Sequence, residues 1–154
     1  MIAISHLAAP AERLRGALNA LSSVLALFFR LYVGQAFFLS GLTKIRDWDS
    51  TLFLFQEEYH VPVLPPEVAA CMGAAGELIL PVFLVLGLAG RFGAIGLTVV
   101  NIVAVISYPG LAAAALKDHY IWGAMLLVIL FYGPGKLSLD AVIWPRLSGR
   151  SGQS

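Results

Sequence analysis

The chain has 154 residues, 59% of them hydrophobic and only 12% charged, with a formal net charge of +1. Soluble domains carry about 25% charged residues, so this composition, with a mean hydropathy of +0.84, excludes an ordinary soluble globular fold and suits one membrane domain. The charge balance holds no basic tract with interleaved aromatics, which excludes nucleic acid as a partner; the lone cysteine, Cys71, excludes an intramolecular disulfide, a CxxC redox pair and a thiolate metal cage.

Residues 1–20 carry Arg13 and Arg15 but no uninterrupted apolar core followed by a small-residue cleavage site, so they read as a cytoplasmic leader to a retained helix. A membrane span needs about 20 mostly apolar residues. Four stretches qualify within a domain over 21–135: Leu21 to Leu42, Val68 to Leu88, Phe92 to Tyr108, and about Leu116 to Tyr132. Residues 136–154 form a tail. The expected fold is all-α, an integral membrane four-helix bundle.

An even number of spans places both termini on one side. That side holds Arg13, Arg15, Arg91, Lys136, Arg146 and Arg150, against Lys44, Arg46 and Lys117 on the other. The positive-inside rule then predicts cytoplasmic termini in a bacterial inner membrane. Trp48, Tyr59, Tyr108, Tyr120 and Trp122 fall near the outer interface, with Tyr132 and Trp144 near the inner one.

The long connection between the first two spans contains WDSTLFLFQEEY, where Trp48, Leu52, Phe55 and Tyr59 recur at helical spacing. This predicts an interfacial amphipathic helix over Trp48 to Tyr59, lying on the outer membrane face. The HVPVLPPE segment breaks it, and Pro65 and Pro66 open the second span. After the fourth span, Gly133 and Pro134 stop the helix. Ser138 is placed to cap a short cytoplasmic helix, with Asp140 in its first turn.

Two polar groups interrupt the apolar pattern. Arg30, Gly34, Phe37, Gly41 and Lys44 lie on one stripe of the first span, and Arg30 falls within about 5 Å of its midpoint. A charge at that depth requires a partner. Glu77 in the second span and Asn101 in the third complete an expected intramembrane polar layer of Arg30, Glu77 and Asn101, in which Arg30 meets Glu77 either to fix helix register or to serve function. At the outer end Lys44, Asp47, His119 and Trp122 form an expected binding cluster, and His119 can exchange protons there. Three scattered histidines with one cysteine make no metal motif.

Three stretches, FRLYVGQAFFLSGLTKIRDW, GELILPVFLVLGLAGR and YGPGKLSLD, together resemble the DoxX family of small bacterial four-helix membrane proteins. The resemblance runs from about Leu27 to Asp140. It implies redox-linked membrane work: the founding name comes from a thiosulfate:quinone oxidoreductase, and other members resemble components of complexes concerned with thiol and oxidative-stress balance or stand beside genes for modified Cys-rich metal-binding peptides. Carried over by position, the first-span cations are Arg30 and Lys44, the second-span acid is Glu77, and the turn motif is Gly133 to Asp140.

The expected function is a redox-linked membrane subunit binding a quinone or similar small carrier between its helices, with Lys44, His119 and Trp122 as donors in an apolar slot. No haem, flavin or iron-sulfur signature is present in the sequence. The alternative is a non-enzymatic assembly protein that docks a membrane or periplasmic partner through Trp48 and Phe55. A transport path through the Arg30, Glu77 and Asn101 layer is the third and weakest reading, because no inverted repeat or broken helix pair supports it.

Overall fold

A computed structural model describes residues 5–148. The side chains of His6 and Arg13, and the whole of Arg150, lie outside the described residues. The chain forms α1 (Ser5–Arg46), α2 (Trp48–Glu57), α3 (Pro66–Leu86), α4 (Gly90–Ser107), α5 (Ala113–Tyr132) and α6 (Leu139–Ser148). Four of these helices are long and apolar enough to cross a membrane: Leu14–Arg46, Pro66–Leu86, Gly90–Ser107 and Ala113–Tyr132. The fold is therefore an all-α membrane bundle.

Local chemistry sets the boundaries. Lys44 and Arg46 occupy the last turn of α1, where cations oppose the negative end of the helix dipole. Asp47 ends α1 and begins α2, its carboxylate accepting from the Ser50 backbone N–H at 3.0 Å and from the Ser50 hydroxyl at 2.7 Å. Pro66 opens α3, where its missing N–H costs nothing. Gly87 closes α3 in a left-handed conformation with φ 62; a side chain there would be strained and would also meet Arg30 and Ser138.

The spanning helices form a closed ring in the order α1, α3, α4, α5, with α1 packed most extensively on α3 and least on α5. Gly34 and Gly41 let α1 approach α3: a Cβ at Gly34 would lie 2.4 Å from Val85, and one at Gly41 2.9 Å from Leu78. The core between the helices is Val33, Phe37, Leu84, Ala94, Leu97, Leu126 and Ile129. Leu31, Phe38, Ile79, Val82, Val99, Ile102 and Phe131 face outward. Such an apolar exterior belongs in lipid, where burying it against other protein is unnecessary.

Two features add to those expectations, and the amphipathic helix expected from Trp48 is present as α2. The residues read as a leader continue as helix into the first span, and α1 reaches well past its neighbours at the end of the bundle that carries the termini. Residues 14–22 are exposed there. The face of α2 formed by Trp48, Leu52, Phe55 and Tyr59 is turned onto Ala69 and Ala70 of α3, so it meets protein. The residues left outward on α2 include Phe53 and Leu54.

Candidate functional site

At the end of the bundle opposite the termini, here the distal end, polar side chains from all four spanning helices face inward. Near the middle of α3, Glu77 is 7% exposed. Its Oε2 accepts from Lys44 Nζ of α1 at 2.6 Å, and the same ammonium donates to Ser40 Oγ at 3.0 Å. The spacing of four between Ser40 and Lys44 puts both on the α3-facing stripe of α1. Gly41, between them, leaves room for the Glu77 stem, which a Cβ there would meet at 3.0 Å.

The second pair joins α4 to α5. Asn101, 6% exposed, donates from Nδ2 to the backbone carbonyl of His119 at 2.9 Å, and its Oδ1 lies 2.7 Å from His119 Nδ1. A carbonyl only accepts, so the amide nitrogen must face it and the amide oxygen must face the ring. His119 Nδ1 therefore donates, and in the neutral imidazole Nε2 keeps its lone pair. The imidazole meets Trp122 edge-on at a centroid distance of 5.0 Å, and Trp122 meets Phe37 of α1 at 5.5 Å. Gly123 gives Asn101 its space: a Cβ there would lie 3.3 Å from Nδ2.

Over this end α2 forms a cover. Thr51 donates to the Lys44 carbonyl at 3.0 Å, and Phe55 stacks on Tyr59, which packs against Tyr108. Burial, and after it the Glu77 carboxylate, raise the Tyr59 phenol above its ordinary value. Tyr108 is raised by its hydrogen bond to the Glu58 carboxylate. Asp47 plays a different part: its carboxyl is held below the usual range by the Ser50 hydroxyl and backbone bonds of the α2 cap. It is a capping group beside the cluster.

The expected Arg30, Glu77 and Asn101 layer does not form. Arg30 is fully buried, but at the termini end, where Nη1 donates to the Val85 carbonyl at 3.1 Å and Nη2 to the Leu137 carbonyl. Its Nε has no partner among the described residues. About 21 Å along α1 separates it from Lys44, and Lys44 is the cation that reaches Glu77. The cause of the wrong pairing is register. A span drawn as Leu21 to Leu42 puts Arg30 near its middle, whereas the helix slides past its neighbours until Arg30 is level with the α3–α4 turn. The supposed transport path loses its charged centre. Asn101 and Glu77 belong instead with the distal cluster.

The same termini end gathers the last motif. Ser138 Oγ accepts from the Ala141 N–H at 3.3 Å, as a cap of α6. Asp140 stands in the first turn of α6, as its position predicts, and its two oxygens also accept from Ala89 N at 2.8 Å and Gly90 N at 2.9 Å, capping α4. Ser40, Tyr59 and Tyr108 were not nominated from the sequence as site residues. The i, i+4 spacing of Ser40 and Lys44 was the available signal for the first; nothing local linked the tyrosines to Glu77.

A family model described as DoxX matches residues 25–110, more than half of the chain. The chain belongs to the DoxX family. A DoxX-family assignment also agrees with a Haemophilus influenzae relative described as "Uncharacterized protein", 30% identical over 131 residues that cover 79% of this chain and 85% of the relative. No solved structure matches. The DoxX match contains Arg30, Lys44, Glu77 and Asn101, and ends before His119 and Trp122.

Proposed function

We propose that this DoxX protein is a redox-linked membrane subunit of the bacterial inner membrane that binds a quinone, or a similar small carrier, in the distal half of its bundle. The observation that carries the reading is the fixed tautomer of His119, which leaves Nε2 as an acceptor on a ring packed edge-on to the Trp122 indole. A quinone head group needs donors at its carbonyls and its quinol form needs an acceptor for each hydroxyl. The Trp122 N–H and the Lys44 ammonium supply donors, and His119 Nε2 supplies an acceptor. Glu77 holds the ammonium in place. The seam between α1 and α5, closed here by Phe37 and Trp122, is the least extensive in the ring and is the natural entry from lipid. The protein that exchanges electrons with the carrier docks, on this reading, at the distal surface where Phe53 and Val63 are exposed.

The test is quinone binding by the protein purified in its native lipids, with affinity followed by quenching of tryptophan emission. His119→Ala and Lys44→Ala are expected to weaken binding by about tenfold or more, since each removes a hydrogen-bonding group from a partly buried site. Purified protein without quinone, together with unchanged affinity in both variants, overturns the reading.

A further inference from the structure

The termini end holds a cleft of about 1040 Å³ between the start of α1, the α3–α4 turn and the segment joining α5 to α6. Asn19, Ser22, Arg91 and Lys136 form its polar wall, and Phe92 and Tyr132 its apolar one. Neither the Arg91 guanidinium nor the Lys136 ammonium has a hydrogen-bond or ion-pair partner among the described residues, where the salt bridge present is Lys44 with Glu77. Asp140, the acid on the cleft wall, already accepts two backbone N–H groups at the α4 N-terminus. The cleft therefore presents two cations without a direct partner, against the one Asp140 carboxylate, beside an apolar wall at the level where α4 begins and α5 ends.

We propose that this cleft is a binding site for the head group of an anionic phospholipid, whose phosphate lies between Arg91 and Lys136 and whose acyl chains leave along Phe92 and Tyr132. A soluble phosphate satisfies the cations but not the apolar wall; a zwitterionic lipid satisfies the wall but brings its own cation to a cationic site. An anionic amphiphile matches both. Basic residues at a membrane surface each favour anionic lipid by about 1 kcal/mol, about fivefold apiece. The site is separate from the distal carrier site and stands or falls without it.

Trp144 lines the cleft and supplies a reporter. In full-length protein with Trp48→Phe and Trp122→Phe, reconstituted in nanodiscs, Trp144 emission is measured with brominated phosphatidylglycerol or brominated phosphatidylcholine at matched low mole fraction. Quenching by phosphatidylglycerol is expected at roughly a tenth or less of the phosphatidylcholine fraction, with the preference shrinking in 0.5 M salt as screening predicts. Arg91→Gln with Lys136→Gln is expected to abolish the preference, and Arg91→Lys with Lys136→Arg to retain it. The charge-retaining pair guards against a folding defect in the neutral one. Equal quenching by the two lipids, a preference that survives the neutral pair, or relief of quenching by millimolar glycerol phosphate overturns the proposal.

Discussion

Arg30 is held by two backbone carbonyls, and carbonyls ask something different of a cation than a carboxylate does. A guanidinium fork can address Val85 and Leu137 at once from a rigid plane; an ammonium on a flexible stem cannot span both with the same geometry. Hydrogen bonds from charged donors contribute about 1.5 to 3 kcal/mol each, so Arg30→Lys is expected to lower stability by about 2 kcal/mol in reversible unfolding from detergent micelles. The pairing also has a thermodynamic signature. Lys44→Met and Glu77→Gln together should cost clearly less than the sum of the single changes, because each single change strands a buried partner. Arg30→Leu and Glu77→Gln share no contact and should add within about 0.5 kcal/mol. Strong coupling in the second pair would contradict the separation of the two charges.

At the scale of elements, the segment from Gly133 to Asp140 fastens three parts of the chain together. Its Leu137 carbonyl takes Arg30 of α1, the Asp140 N–H donates to the Gly87 carbonyl at 2.9 Å, and the Asp140 carboxylate caps α4. Asp140→Ala is expected to cost about 1 kcal/mol, the usual worth of a helix cap, and to speed hydrogen exchange at Ala89 and Gly90. Gly87→Ala should cost more, since the new Cβ combines a positive φ with contacts at 2.3 Å to Arg30 and 2.5 Å to Ser138. If Gly87→Ala were neutral, the turn would have to be looser than its packing implies. Ser138 as a cap was legible in the sequence because its partner is three residues away. Asp140 was legible as a first-turn residue of α6, but the partners of its carboxylate lie 50 and 51 residues away, and no local pattern points that group to α4. The apolar face of α2 was likewise legible from its period, while the surface it covers was not: periodicity reports that a face is buried and is silent on whether lipid or Ala69 and Ala70 bury it.

For the whole molecule, the four spans were readable because each is an apolar run of a length the bilayer itself selects. Register was not readable for α1, whose apolar window extends over 33 residues from Leu14 to Arg46. Any 20 of them could lie beside α3, and only packing at Gly34 and Gly41 decides which do. That decision moves Arg30 from the bilayer middle to the termini end, where it joins Arg15, Arg91, Lys136 and Arg146 among the described cations. The distal end keeps Lys44, Arg46 and Lys117, and Lys44 is neutralised by Glu77. The corrected register therefore widens the charge asymmetry that orients a membrane protein. Both termini are expected in the cytoplasm. A fluorescent protein fused after Ser154 should fold and fluoresce, and alkaline phosphatase at the same position should stay inactive. Phosphatase inserted in the α4–α5 connection at Gly110 should be active. The opposite pattern at both positions would mean that the distal cluster faces the cytoplasm and that the cation balance has been outweighed by some other signal.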